Sequence, residues 1–382
     1  MKHSKIVINA IPLLSKLTGI GRYALEICKR ISLLEHNADF SYFYGYYNKN
    51  LYMTDIPPSG KFTKKIKNFL GRHYYIKKTT REVLLFLSRF SSQTFDLYWE
   101  PNIVPIEHIR SKHLVTTVHD FSFLHYPECL PQENKEYLQK HFWKNIQKSD
   151  RIITGSKYIK DEVVDQLRYD ADRVEVIHHG IDHEYFRRFD RSLLNGFIAA
   201  HNLPARFILF VGSIEPRKNL KNALLAYNSL PDAFKKEYKF VLAGFSGWKN
   251  DEVMKIIRKE KNNIVYLGYL SNEDLASLYN LASVFLYPSL YEGFGLPPLE
   301  AMACGTPVIV SDSSSLPEVC RDAAFYIDPR SIESISDGIM KVISDSELRS
   351  ALTQKGLTRA NMFSWDASAR KHLSLFTEVL EK

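Results

Sequence analysis

Runs of consecutive apolar residues recur along this chain between longer stretches of helical spacing; FILFV at 207–211, VFLYP at 284–288 and PVIV at 307–310 are the clearest. A strand that is apolar at every position is buried on both faces, and a parallel sheet between two helical layers provides that burial. The pattern predicts strands at 5–10, 40–47, 95–100, 114–119, 151–155 and 174–178, and again at 207–211, 238–243, 264–267, 284–287, 307–310 and 324–327. Six strands with intervening helices, twice over, imply an α/β protein of two doubly wound, Rossmann-like domains. A chain of 382 residues is also too long for one ordinary core. The boundary is expected between His183 and Pro204, where the chain turns polar, carries an Asn-Gly and precedes a fresh strand.

The densest cluster of chemistry-bearing residues is SLYEGFGLPPLEAMACGTP, 289–307. Pro297 and Pro298 suit the first turn of a helix, where a missing N–H costs nothing. Gly305 suits its C-terminal cap, and Pro307 prevents continuation. Glu292 then precedes the helix and Glu300 stands in its first turns. Gly293 and Gly295 allow close backbone approach, and a helix N-terminus beside them favours an anion. Glu300 is a bidentate acceptor suited to vicinal hydroxyls such as those of a ribose. Upstream, FVGSIEPRKNL places Arg217 and Lys218 in a loop between a strand and a helix. Paired cations there suit a diphosphate leaving group, whose charge grows as its bond breaks.

In the first half, TGIGRYA sets Gly19, Gly21 and Ala24 in the spacing of a dinucleotide fingerprint. The glycines lie too far beyond the first strand for that use, so a glycine loop lining the cleft between domains is preferred. His119 ends the run VTTVHD at the carboxyl end of a strand, where side chains face the ligand crevice. His178 and His179 end another, VIHHGID, read as the approach to a hinge. Asp170 and Asp172 form a DxD, but in a helix end running into a turn. Cys28, Cys129, Cys304 and Cys320 are read as reduced, buried thiols; they show no zinc spacing.

Charge modifies the picture at one place. The net charge is +8, and the segment between Lys61 and Phe90 holds nine Lys or Arg against one acid, the whole excess of the chain. Apolar and aromatic residues interleave with the cations, which suits an anionic membrane surface. No nucleic-acid motif accompanies it, so nucleic acid is not an expected partner. No apolar run reaches ~18 residues, and the N-terminal apolar stretch is broken by Asn9 and Pro12, so it reads as a first strand and the protein as cytoplasmic.

E-GFGLPPL-E, with its two glutamates eight apart, resembles the motif of the retaining glycosyltransferases of family 4. Together with VGSIEPRKNL and TGIGRYALE it is similar to the bacterial O-antigen mannosyltransferases of that family. The resemblance spans the whole chain and is strongest over 207–329. It implies a GT-B fold: an N-terminal acceptor domain at 1–183, a C-terminal donor domain at 204–363, and a helix at 364–382 packing back on the first, with a cleft between the domains. It also implies a nucleotide-sugar donor, GDP-mannose by analogy, and a polyprenyl-diphosphate-linked oligosaccharide acceptor at the inner face of the membrane. Glu300 would bind the ribose. Glu292, Gly293, Phe294, Gly295 and Leu296 would hold the sugar and diphosphate, joined by Arg217, Lys218, Gly19 and Gly21. His119, Glu292, Arg217 and Lys218 would be catalytic, with no metal and no other cofactor. Two other readings remain open: an NAD-dependent oxidoreductase using TGIGRYA, and a non-catalytic lipid-surface adaptor built on 61–90. Both leave the second half's motifs without a use.

Overall fold

The computed structural model describes residues 4–14, 19–52, 92–130, 132–245 and 251–382. The basic segment between Lys61 and Phe90 lies outside the described residues. Among those described, the first sheet orders its strands β3-β2-β1-β4-β5-β6-β7 and the second β10-β9-β8-β11-β12-β13. In the first, β1 is Lys5–Asn9, β2 Asp39–Phe43, β3 Tyr47–Asn48, β4 Thr94–Glu100, β5 Arg110–Val118, β6 Arg151–Thr154 and β7 Val174–Val176. In the second, β8 is Phe207–Val211, β9 Lys239–Ala243, β10 Ile264–Tyr266, β11 Val284–Tyr287, β12 Val308–Ser311 and β13 Ala324–Ile327.

Each strand expected from sequence is present, with one difference. The run expected over 40–47 ends at Phe43, and Tyr47–Asn48 turns back antiparallel to it as an edge. Every other pairing in both sheets is parallel. Burial explains the continuous apolar runs. Leu209, Val211, Phe285 and Val310 face one core of the second sheet, while Ile208, Phe210, Leu286 and Ile309 face the other.

Both sheets reverse strand order between their first and fourth strands in sequence, at β1/β4 and β8/β11. Carboxyl ends at such a switch point diverge and leave a crevice for ligands. Six helices shape it: α1 Gly19–Leu34, α2 Lys157–Leu167, α3 Asn272–Leu281, α4 Leu296–Ala303, α5 Leu316–Cys320 and α6 Trp365–Leu380. The chain passes between the sheets at Ile181, which bridges Ser364 on the return crossing. A Cβ on Gly180 would lie 2.0 Å from the Trp365 nitrogen, so the two crossings touch backbone to backbone. Trp365, Ala369, Phe376 and Val379 of α6 are buried among Ile6, Ile8, Tyr23 and Trp99 of the first domain.

Candidate active site

The loop after β8 begins at Gly212 and ends in the short helix Pro216–Lys218. Asn219 stops it at a left-handed φ of 58°, and its amide nitrogen donates to the carbonyls of Pro288 and Pro329 at 3.0 and 2.7 Å. The loop is thereby tied to the ends of β11 and β13, and Arg217 and Lys218 point at the segment following β11. Arg217 donates to the Tyr291 carbonyl at 2.7 Å and to Glu292 Oε2 at 3.2 Å. Its other nitrogen meets Glu215 at 2.9 Å. Lys218 Nζ donates to Glu292 Oε1 at 2.6 Å and to the Tyr287 hydroxyl at 2.8 Å.

Glu292 is therefore a buried carboxylate held by two cations and a phenol. Burial alone would raise its carboxyl, but Lys218 and Arg217 outweigh it and hold the group at about 2. Lys218 moves the other way: burial lowers it despite Glu292. For Arg217 burial also acts downward, yet Glu292, Asp120 and Glu215 raise it overall. This clamp is a set of paired charges tied to one another and to a phenol.

Gly295, at φ 105°, opens α4, whose first turn has no side-chain cap. Pro297 and Pro298 fill that turn as the sequence predicts, and Gly305 at φ 79° follows its end. Glu300 lies one turn further in, 4% exposed. Its Oε2 accepts from the Tyr279 hydroxyl at 3.2 Å, and its Oε1 from Arg22 at 2.7 Å. Burial raises its pKa, and Arg22 opposes that shift.

His119 directly follows β5. Its Nε2 lies 2.8 Å from the Pro101 carbonyl and so carries the proton, leaving Nδ1 as an acceptor. Burial lowers its pKa and favours the neutral ring. Tyr23 meets the ring edge-on at 4.9 Å between centroids. The His119 backbone carbonyl faces the other domain: a Cβ on Gly293 would approach it to 2.0 Å. The Gly293 carbonyl accepts from Ser156 Oγ at 2.8 Å, so the motif loop is gripped by both β5 and α2 of the first domain. Phe294 packs on His179 and Phe363 at the crossing, and Leu296 touches the cores of both domains.

Two models of known families match the chain: one described as Glycosyltransferase Family 4 over residues 17–185, and one described as Glycosyl transferases group 1 over residues 196–359. The O-antigen chain mannosyltransferase B of Escherichia coli is 34% identical over 375 residues, 95% of this chain and 96% of that protein. The chain belongs to glycosyltransferase family 4. Sucrose-phosphate synthase of Thermosynechococcus elongatus shares its fold with a TM-score of 0.73 at 17% identity, covering 99% of this chain and all of that one. HepE of Anabaena, solved with UDP-glucose, does so with a TM-score of 0.70 at 16% identity, covering 98% and 100%. The enzyme is a glycosyltransferase of the GT-B architecture, two Rossmann-like domains facing a cleft, and the oxidoreductase alternative falls.

Geometry agrees with that outcome and corrects one expectation. Gly19 and Gly21 do not form a loop: they are in the first turn of α1, after the short helix Ile11–Leu14. A dinucleotide fingerprint needs its strand to lead straight into the glycine turn, and here it does not. Gly19 is exposed, with nothing near a Cβ placed on it, while Gly21 is buried. Asp170 caps the turn Ala171–Arg173 by accepting from the Asp172 nitrogen, apart from the clamp. His178 pairs with Glu318, and His179 is buried against Trp365. All four cysteines are buried and unbridged. Among the described residues no three His, Cys, Asp or Glu side chains converge as a metal site would need, and no helix is long and apolar enough to cross a membrane.

Five residues were not named in the sequence reading. Tyr287 ends β11, and the rule that selected His119, that strand ends face the crevice, selects it equally. Arg22 stands beside the quoted glycines, but its use depends on a partner 278 residues away. Tyr279 reads as an ordinary helix-face aromatic. Phe245 and Tyr269, just beyond the ends of β9 and β10, stack at 4.5 Å with an interplanar angle of 22° and remain exposed.

Proposed function

We propose that the enzyme transfers mannose from GDP-mannose, with retention, to a hydroxyl of a polyprenyl-diphosphate-linked oligosaccharide during O-antigen synthesis. The observation that carries the reading is the Arg217–Lys218–Glu292 clamp beside the uncapped start of α4, with Glu300 one turn further along. A diphosphate suits the clamp and the helix start, and ribose hydroxyls suit Glu300. The stacked pair Phe245 and Tyr269 offers an aromatic face for the base. The relation to the E. coli mannosyltransferase supports mannose as the sugar. In the reaction the bond from the sugar's anomeric carbon to the diphosphate breaks and a bond to the acceptor oxygen forms on the same face. The acceptor proton leaves with the diphosphate. Arg217 and Lys218 stabilise the charge that grows there, which removes the need for a metal. His119, uncharged, faces the sugar with its Nδ1 acceptor. Glu292 orders the cations and is not assigned as a nucleophile.

The membrane site is part of the same proposal. Nine cations between Lys61 and Phe90 suit an anionic inner-membrane surface, where a lipid-linked acceptor is presented. The test is a transfer assay with GDP-mannose, GDP-glucose, UDP-glucose and dTDP-rhamnose on a lipid-linked acceptor, with and without EDTA. Turnover with GDP-mannose alone, unchanged by EDTA, is expected. Preference for another donor would overturn the sugar, and loss in EDTA restored by manganese would overturn the metal-free route.

A further inference from the structure

Arg22 is in the first turn of α1, in the first domain, yet its guanidinium is spent on the second. One nitrogen donates to Glu300 Oε1 at 2.7 Å and the other to Asn272 Oδ1 at the start of α3. Glu300 is nearly closed off, with 5% of its side chain exposed, while 26% of Arg22 is. Both carboxylate oxygens are thereby engaged, Oε1 by Arg22 and Oε2 by Tyr279. A ribose offers two vicinal hydroxyls, and a carboxylate holding both needs both oxygens. Arg22, reaching from across the cleft, therefore stands on one of the two oxygens that the proposed function gives to the ribose.

We propose that Arg22 is an intramolecular competitor of the nucleotide: in the empty enzyme it occupies the ribose seat at Glu300 and ties the domains together there, and the incoming ribose displaces it. The inference rests on Glu300 being the ribose acceptor. Its energetic logic is that a buried carboxylate needs a partner at all times. Arg22 is that partner when the cleft is free of nucleotide and the ribose hydroxyls when it is bound, so Glu300 keeps hydrogen-bond donors on its oxygens in either state. Linkage makes the exchange reciprocal: whatever factor the Arg22 contact takes from nucleotide affinity, the nucleotide takes from the contact. After transfer, the return of Arg22 to Glu300 assists departure of the nucleoside diphosphate.

The sign of the test follows. Removing Arg22 leaves Glu300 with Tyr279 alone in the empty protein but costs the complex nothing. Arg22→Ala should bind nucleoside diphosphate more tightly, by about 3- to 10-fold for a largely buried ion pair whose cation keeps some contact with solvent. Calorimetry would use whichever of GDP, UDP or ADP binds the wild type best. Product inhibition by the same nucleotide should strengthen by the same factor. Arg22→Lys keeps the charge but cannot hold Glu300 and Asn272 together, and should fall between. By small-angle scattering, nucleotide-free Arg22→Ala should have a larger radius of gyration than nucleotide-free wild type, a difference that saturating nucleotide removes. Unchanged or weaker nucleotide binding, or an unchanged nucleotide-free envelope, would overturn the competitor. Glu300→Ala separates the two ideas. If it binds nucleotide as well as wild type, the ribose role of Glu300 fails; if it binds weakly while Arg22→Ala gains nothing, Arg22 alone is wrong.

Discussion

Gly293→Ala tests whether the two domains must close on the motif loop for the chemistry to run. Gly293 lacks the left-handed backbone that would make alanine costly in itself. The obstacle is across the cleft: the new Cβ would lie 2.0 Å from the His119 carbonyl oxygen, 2.9 Å from its carbon and 3.0 Å from the Asp120 Cβ. Two of these neighbours are backbone atoms at the end of a central strand, and neither can rotate aside. Since Cβ contacts under 3.0 Å are essentially never seen, the domains must part by about 1 Å or more at this point. A misplacement of ~1 Å between reacting groups costs about 100-fold in rate, or about 2.7 kcal/mol of barrier. The clamp, Glu300 and α4 all belong to the second domain and move with the loop. Nucleoside diphosphate affinity should therefore not fall, while kcat falls about 100-fold. The melting temperature should change little, because opening the cleft relieves the clash. Steady-state transfer kinetics, calorimetry and a thermal melt read the three quantities. A variant with wild-type kcat would refute the reasoning, since turnover would then not need this approach.

Lys218→Ala should lower kcat by about 100- to 1000-fold with little change in donor KM, because the charge it meets on the leaving diphosphate grows toward the transition state; a rise in KM alone would mark it as a uniform binder. For acid stability, Glu292 has a folded pKa of about 2 against an ordinary 4.5, a depressed value, so its contribution is present above 4.5 and is lost as pH falls toward 2. Melting temperatures across that window should drop more steeply for wild type than for Glu292→Gln, and parallel curves would contradict the pairing.

How much of this was legible beforehand follows from how local each feature is. The strands of both sheets could be read because burial on two faces leaves an unbroken apolar run, and that depends on neighbours of one generic kind. The turn into α4 was equally readable: glycine, two prolines and a terminal glycine each have one backbone preference. Arg217, Lys218 and Glu292 were named from separate motifs, and the fold joins them because β8 and β11 are adjacent at the switch point. The glycines of TGIGRYA misled, because a glycine pair signals a loop as readily as a helix start and only the register after β1 decides. Arg22 was out of reach for a different reason. Its partners Glu300 and Asn272 are on the other domain, and interdomain packing has no periodicity in sequence. Tyr287 lay within reach of a rule applied to His119 alone.

The charged groups of the site come as pairs for a physical reason. Two cations buried without a counter-charge would each cost several kcal/mol in desolvation, and the loop holding them would not stay closed. Glu292 removes that cost and fixes both side chains in place, with Tyr287 bonding to Lys218 and Glu292 alike. On the proposed function, a diphosphate entering this clamp finds donors already dehydrated and aimed, so little reorganisation is left for the chemical step. Glu300 is treated the same way, with Arg22 as its resident partner. The two carboxylates of the motif then differ in what they exchange. Glu292 keeps its cations and shares them with the ligand, since Lys218 and Arg217 belong to its own domain and move with it. Glu300 must give up Arg22, because that partner is anchored in the other domain. One pair therefore sets the electrostatics of transfer, and the other couples occupancy of the nucleotide seat to the position of the domains.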